Sequence, residues 1–257
     1  MQFDNSNFSF TRFAAYFKML WVERWRSNIV KVALLFGLCV VLMVWISLLV
    51  YPASVGSEFY GNTRDAAEEP LFVCMSLLFL VGGCVLGSEM LKGARSKGER
   101  ITMLTMPVTG FEKWLARWTM CVPLYIAVFL GCMYAADTLR VGVFSGLYPQ
   151  LKVHYLNVFG FSWGNDGISL LWLIYFYLTA IYVLGGVFFP RKAMLKTTAF
   201  TFVLFIVVVL LQISLAVALS ISVSSEMLPV MKIFFWLSVP VLWGLSYWRM
   251  KELEVID

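Results

Sequence analysis

The sequence predicts an all-α, polytopic membrane protein with six transmembrane helices and two short amphipathic helices. Three observations predict it. The chain is 61% hydrophobic and 14% charged, where soluble domains run near 45–50% apolar and about 25% charged. Six long apolar stretches divide it into seven polar segments. With the N-terminus placed in the cytoplasm, alternate segments on that side hold 16 of the 20 basic residues and net +8 (16 basic, 8 acidic), against −3 outside (4 basic, 7 acidic). That asymmetry is the positive-inside bias of a membrane chain with both ends inside. The length of 257 residues fits one transmembrane domain over 1–257 and leaves no room for a second large one.

The first 31 residues carry an amphipathic helix. Phe10, Phe13, Phe17, Leu20 and Trp21 recur at helical spacing, with Arg12, Lys18, Glu23, Arg24 and Arg26 largely on other faces. Such a helix lies in the headgroup plane. It reads equally well as a surface anchor or as an element that also touches a cytoplasmic partner.

A crossing needs about 20 apolar residues. Span one is 32–51, too long in its apolar core for a cleaved signal peptide. Span two is 71–88, and span three, 118–136, contains Pro123. Span four is 168–190. Span five, 197–225, is over-long at 29 uncharged residues. A break near its serine-rich outer end is expected. Span six, 233–248, is short, with Lys232 and Arg249 placed to snorkel from its ends.

The inner segment 89–117 is the most basic, with Lys92, Arg95, Lys97, Arg100, Lys113 and Arg117. Its end contains a helix start: Thr109-Gly110-Phe111-Glu112 has the T-x-x-E form of a capping box. From there Phe111, Trp114, Leu115 and Trp118 mark one face, with Lys113 and Arg117 on another. A short surface helix before span three follows. It could pass force from a soluble partner or simply turn the chain. The outer segment 52–70 is acidic, with Glu58, Asp65, Glu68 and Glu69 against Arg64. The segment 137–167 reads as a long aromatic loop, suited to a headgroup belt or an outer cap.

Several function classes are excluded or disfavoured. The net charge of +5 lies beside the spans, where it suits anionic lipid headgroups; nucleic-acid binding is not expected. Cys39, Cys74, Cys84, Cys121 and Cys132 all lie in apolar stretches and read as small apolar filler, not as a disulfide or zinc set. The single histidine, His154, reads as an exposed loop residue. No Gly-Lys dipeptide occurs, so the chain has no phosphate loop. No catalytic, metal or cofactor site is expected on it.

No ionisable residue falls inside the six spans as drawn, with Glu89 and Asp137 at span ends. That argues against an ion-coupled carrier. Gln212 is the most polar mid-span residue; it pairs with a neighbouring helix or lines a cavity. Gly83 and Gly87 form a GxxxG, and Gly185-Gly186 lies in span four. Close packing follows, either within the chain or between copies.

This order of elements resembles the type-2 permease family, the membrane subunits of ATP-binding-cassette (ABC) exporters as found in Bacteroides-like bacteria. The residues most similar to that family are Thr105-Met106-Pro107-Val108-Thr109-Gly110-Phe111-Glu112-Lys113-Trp114-Leu115-Ala116-Arg117-Trp118 and Phe188-Phe189-Pro190-Arg191-Lys192-Ala193-Met194-Leu195-Lys196-Thr197. The layout covers nearly the whole chain; these motifs cover about 25 residues. The resemblance implies a permease in the bacterial inner (cytoplasmic) membrane, paired with a second permease subunit as a homodimer or heterodimer. Separate ATPase subunits would bind ATP and Mg and power it. The N-terminal helix would be an elbow helix and Thr109–Trp118 the coupling helix. Thr109, Phe111, Glu112, Lys113, Trp114, Arg117, Arg95 and Arg100 would lie at the ATPase contact, and Glu226 with the end of span five at an outer gate. The alternative is a non-transporting membrane anchor or regulatory subunit.

Overall fold

The computed structural model describes residues 8–23, 25–55, 65–90, 106, 108–156, 167–189, 192–219 and 227–255. All regular structure among them is helical. The helices are α1 (Phe10–Glu23), α2 (Trp25–Ser54), α3 (Glu68–Glu89), α4 (Gly110–Cys121), α5 (Pro123–Leu147), α6 (Gly167–Phe188), α7 (Ala193–Leu219) and α8 (Met227–Val255). Four helical stretches among the described residues are long and apolar enough to cross a membrane: Trp25–Ser54, Glu68–Glu89, Gly110–Leu147 and Leu170–Phe188. They mark a membrane protein. A shorter apolar helix covers Ala193–Val207.

Helices α2, α3 and α8 overrun their apolar stretches at both ends. Loss of apolarity does not break a helix; only missing donors, strain or competing contacts do. So α8 runs 29 residues where the apolar core has 16. Pro123 sits inside the Gly110–Leu147 stretch, as expected, and opens α5 after a cap at Val122. Proline fits a first helical position because its missing N–H would be unsatisfied there anyway. The expected outer loop from 137 is corrected: α5 continues to Leu147, so Asp137 and Arg140 are helical and buried. The expected break in the fifth apolar stretch lies outside the described residues, since α7 is described to Leu219.

The chain divides into two compact units. One comprises residues 18–81 and 123–169. Here α2 packs along α5. Cys39, Met43, Ile46 and Tyr51 are buried on one element, and Tyr125, Phe129, Cys132, Met133, Ala136 and Phe144 on the other. Phe79 stacks on Tyr125 at 5.8 Å between centroids, and the Tyr125 hydroxyl donates to the Phe79 carbonyl at 3.0 Å. All five cysteines are free thiols.

The other unit comprises 1–17, 82–122 and 170–257. Its core groups Met90, Trp114, Val183, Val187 and Met250. The GxxxG serves packing within the chain. A Cβ on Gly83 would stand 2.7 Å from Tyr175 Cε2 and 3.1 Å from Thr179 Cγ2, and one on Gly87 3.3 Å from the Thr179 carbonyl. A Cβ on Gly186 would likewise meet backbone, 3.0 Å from the Ser88 carbonyl oxygen. Small residues thus let α3 and α6 approach closely, as in other membrane helix pairs. Gly83→Val forces the fully buried Tyr175 ring aside, and overpacking of this kind costs about 1–3 kcal/mol. A lowered thermal midpoint in detergent checks it.

Candidate functional site

The short helix expected before span three exists as α4, and its capping box is formed. The Thr109 side chain accepts from the Glu112 N–H at 3.2 Å, and Glu112 Oε2 accepts from the Thr109 N–H at 3.1 Å. The Gly110–Leu147 stretch is 38 residues, and the cap at Val122 divides α4 from α5 within it.

Glu112 does more than cap. Its Oε1 accepts from the Ser9 N–H at 2.7 Å and lies 3.5 Å from Arg12 Nη2. The carboxylate is fully buried. Burial alone would raise its pKa, but the Ser9 and Thr109 N–H donors and the Arg12 charge outweigh that and hold it below the ordinary carboxylate value. One side chain thus ties the first turn of α4 to the start of α1. The inward stripe of α1 differs from expectation: Phe10 is exposed, while Tyr16 is buried and Arg12 half-buried. The Glu112 carboxylate draws Arg12 to the inner side.

The opposite flank of α4 meets α8. Trp114 Nε1 donates to Ser246 Oγ at 3.1 Å. Phe111 meets Tyr247 edge-on at 5.8 Å, and Trp118 meets Trp243 edge-on at 5.0 Å. Edge-to-face geometry at such distances favours the pairs beyond their burial. Phe8 also reaches Phe111, at 6.2 Å. The helix is therefore not a surface element with a free polar face. Lys113 and Ala116 are buried with Glu112 and Trp114. Phe111 stays partly exposed, and Arg117 is half-buried with a buried Nη1 lacking a hydrogen-bond partner.

No family model, curated protein or solved structure matches the chain. The geometry must carry the functional reading.

Of the residues expected to cluster at a partner contact, Thr109, Phe111, Glu112, Lys113, Trp114 and Arg117 share α4 and its cap. Arg95, Arg100 and Glu226 lie outside the described residues, as does the side chain of Gln212. Gly83 and Gly87 belong to the α3–α6 contact. His154 is exposed, as read from sequence. Among the described residues, no three His, Cys, Asp or Glu side chains gather as a metal set.

Sequence reasoning missed a buried ionic network in the 18–81 and 123–169 unit. Arg140 Nε donates to Asp137 Oδ1 at 2.7 Å. Its Nη1 donates to Asp65 Oδ2 at 3.0 Å and to the Tyr51 hydroxyl at 2.6 Å. Nη2 donates to the His154 carbonyl at 2.6 Å. The carboxylates also take the backbone N–H groups of Ala67, His154 and Leu156. Arg140, Asp137 and Asp65 are all buried. The signal available was the i, i+3 spacing of Asp137 and Arg140.

Proposed function

We propose that this chain is the membrane-spanning permease subunit of an ABC-type exporter, with six spans and cytoplasmic ends, acting beside a second permease subunit and powered by separate ATPase subunits. One observation carries the reading: α4, a capped amphipathic helix running into an apolar one, is bonded to α1 through Glu112 and to α8 through Trp114. A push on α4 from a soluble partner would reach both elements. The charge asymmetry supports a cytoplasmic position for α4. In this reading α1 is the elbow helix, α4 the coupling helix, and the membrane is the bacterial inner membrane. ATP and Mg bind the partner. The partly exposed Phe111 and the incompletely bonded Arg117 are the α4 residues best placed to meet it.

A second reading has its own observation. Glu112 and Lys113 are buried within the chain, which suits a non-transporting anchor or regulatory subunit whose α4 only braces α1 and α8. Gentle detergent purification from the native host separates the two. The exporter reading expects a co-purifying ATPase of about 25–35 kDa, the size of a one-domain subunit. Arg117→Glu, by reversing an interface charge, should cut its recovery about tenfold with the permease still folded. Recovery of the chain alone, stable and monodisperse, overturns the exporter reading.

A further inference from the structure

Beyond that reading, and whether or not the chain moves anything, the connection between α6 and α7 carries a cationic feature that neither α4 nor the Arg140 network uses. The end of α6 and the end of α8 adjoin, since Val187 and Met250 share one buried cluster. Two consecutive aromatic residues sit there, each beneath a cation. Arg249 Cζ lies 5.3 Å from the Phe188 ring centre, and Lys196 Nζ lies 5.8 Å from that of Phe189. Cations at this distance are attracted to the ring quadrupole. Lys192 completes the group. It has a positive φ of 53°, and its carbonyl accepts from the Lys196 N–H at 3.1 Å. Both lysines are exposed.

The chemistry changes along α7 in a definite way. Positions 196, 200 and 203 follow helical spacing and so share a face, and Lys192 immediately precedes the helix. That face reads Lys, Phe, Val, and these three side chains and that of Lys192 are exposed. Leu195 beside it and Phe188 across the turn are exposed as well. An anion that pairs with the cations would therefore have an apolar surface next to it. A free phosphate uses only the first half of this arrangement. A phospholipid uses both, with its phosphodiester on the cations and an acyl chain along Phe200 and Val203. The turn also belongs to the polar segments that carry excess positive charge, where anionic headgroups concentrate basic residues. Arg249 is partly offset by its ion pair with the exposed Glu252, so Lys192 and Lys196 supply most of the free charge.

We infer that Lys192, Lys196 and Arg249, with Phe188 and the Phe200–Val203 face of α7, form a binding site for an anionic phospholipid headgroup and its acyl chain. The site discriminates by charge, so it prefers a phosphatidylglycerol-type lipid over a zwitterionic phosphatidylcholine-type one.

The test uses the full chain in detergent micelles, with lipid adducts counted by native mass spectrometry. Phosphatidylglycerol and phosphatidylcholine of the same acyl length are added at equal concentration. The wild type should retain the anionic lipid at least about tenfold better. Lys192→Gln with Lys196→Gln should bring the two lipids to near-equal retention, while Lys192→Arg with Lys196→Arg keeps the preference. Should the neutral variant fail to fold, wild-type retention is measured against salt: the preference should fade as ionic strength rises. Equal retention of both lipids by the wild type overturns the inference, as does an unchanged preference in the neutral variant or at high salt. Inorganic phosphate at millimolar concentration is the separate arm. If it displaces the lipid or gives the same thermal protection, the ligand is free phosphate and the lipid site is overturned.

Discussion

Arg140→Leu should be the most damaging single change in the protein. It leaves Asp65 and Asp137 buried with no counter-ion. Removing one member of a buried ionic set costs about 3–5 kcal/mol, because the remaining charge is stranded. Charge counting then fixes an order. The network holds two carboxylates and one guanidinium, so Asp137→Asn still leaves a balanced Arg140–Asp65 pair and costs less than Arg140→Leu. Adding Asp65→Asn and Asp137→Asn to Arg140→Leu removes every charge, and the triple variant should recover much of the loss. Thermal midpoints of the purified variants in detergent check the order. A midpoint unmoved by Arg140→Leu, or a triple variant less stable than the single, contradicts it. Loss of the network also frees the backbone at His154 and Leu156, so proteolysis in 148–156 should rise with the fall in stability.

Trp114→Ala should be the second largest. The indole is buried, stacks on Trp118 at 6.2 Å, meets Tyr247 edge-on at 6.1 Å and donates to Ser246. Truncating such a residue costs about 3–5 kcal/mol through lost transfer energy and the cavity left behind. Trp114→Phe keeps an aromatic ring in the column and loses the bond to Ser246, a net loss of about 1 kcal/mol. Ser246 stays partnered, because its hydroxyl also donates to the Trp243 carbonyl. The midpoints should therefore rank wild type, Phe variant, Ala variant. A functional defect in Trp114→Ala or Glu112→Ala then reports lost structure as much as lost coupling. Arg117 and Phe111 are the cleaner positions for probing a partner.

The helical class, the apolar stretches and the α4 cap were legible in the sequence because each has a local cause. Hydropathy and length set the first two. The Thr109–Glu112 box needs only residues three apart. What stayed hidden is non-local. Nothing near Glu112 announces that its second oxygen partners Ser9, 103 residues away. The Trp114–Ser246 bond spans 132 residues. Asp65 looked like one of several outer carboxylates until folding put it beside Arg140, 75 residues on. The GxxxG showed that something packs closely but not what; only the fold names Tyr175 and Thr179. Apolarity also misplaced the helix ends, because α5 goes on for 11 residues past Ala136, through Asp137 and Arg140 that each neutralise the other.

The account stands on α4 facing the cytoplasm, and paired cysteine labelling addresses that most directly. In a background with the native cysteines replaced, Phe111→Cys and Tyr155→Cys place single thiols at two exposed positions. A membrane-impermeant maleimide should label Cys at 155 in intact cells from which any outer membrane has been stripped, and Cys at 111 only in inverted vesicles. Labelling of position 111 from outside, or of both positions from the same side, contradicts the account.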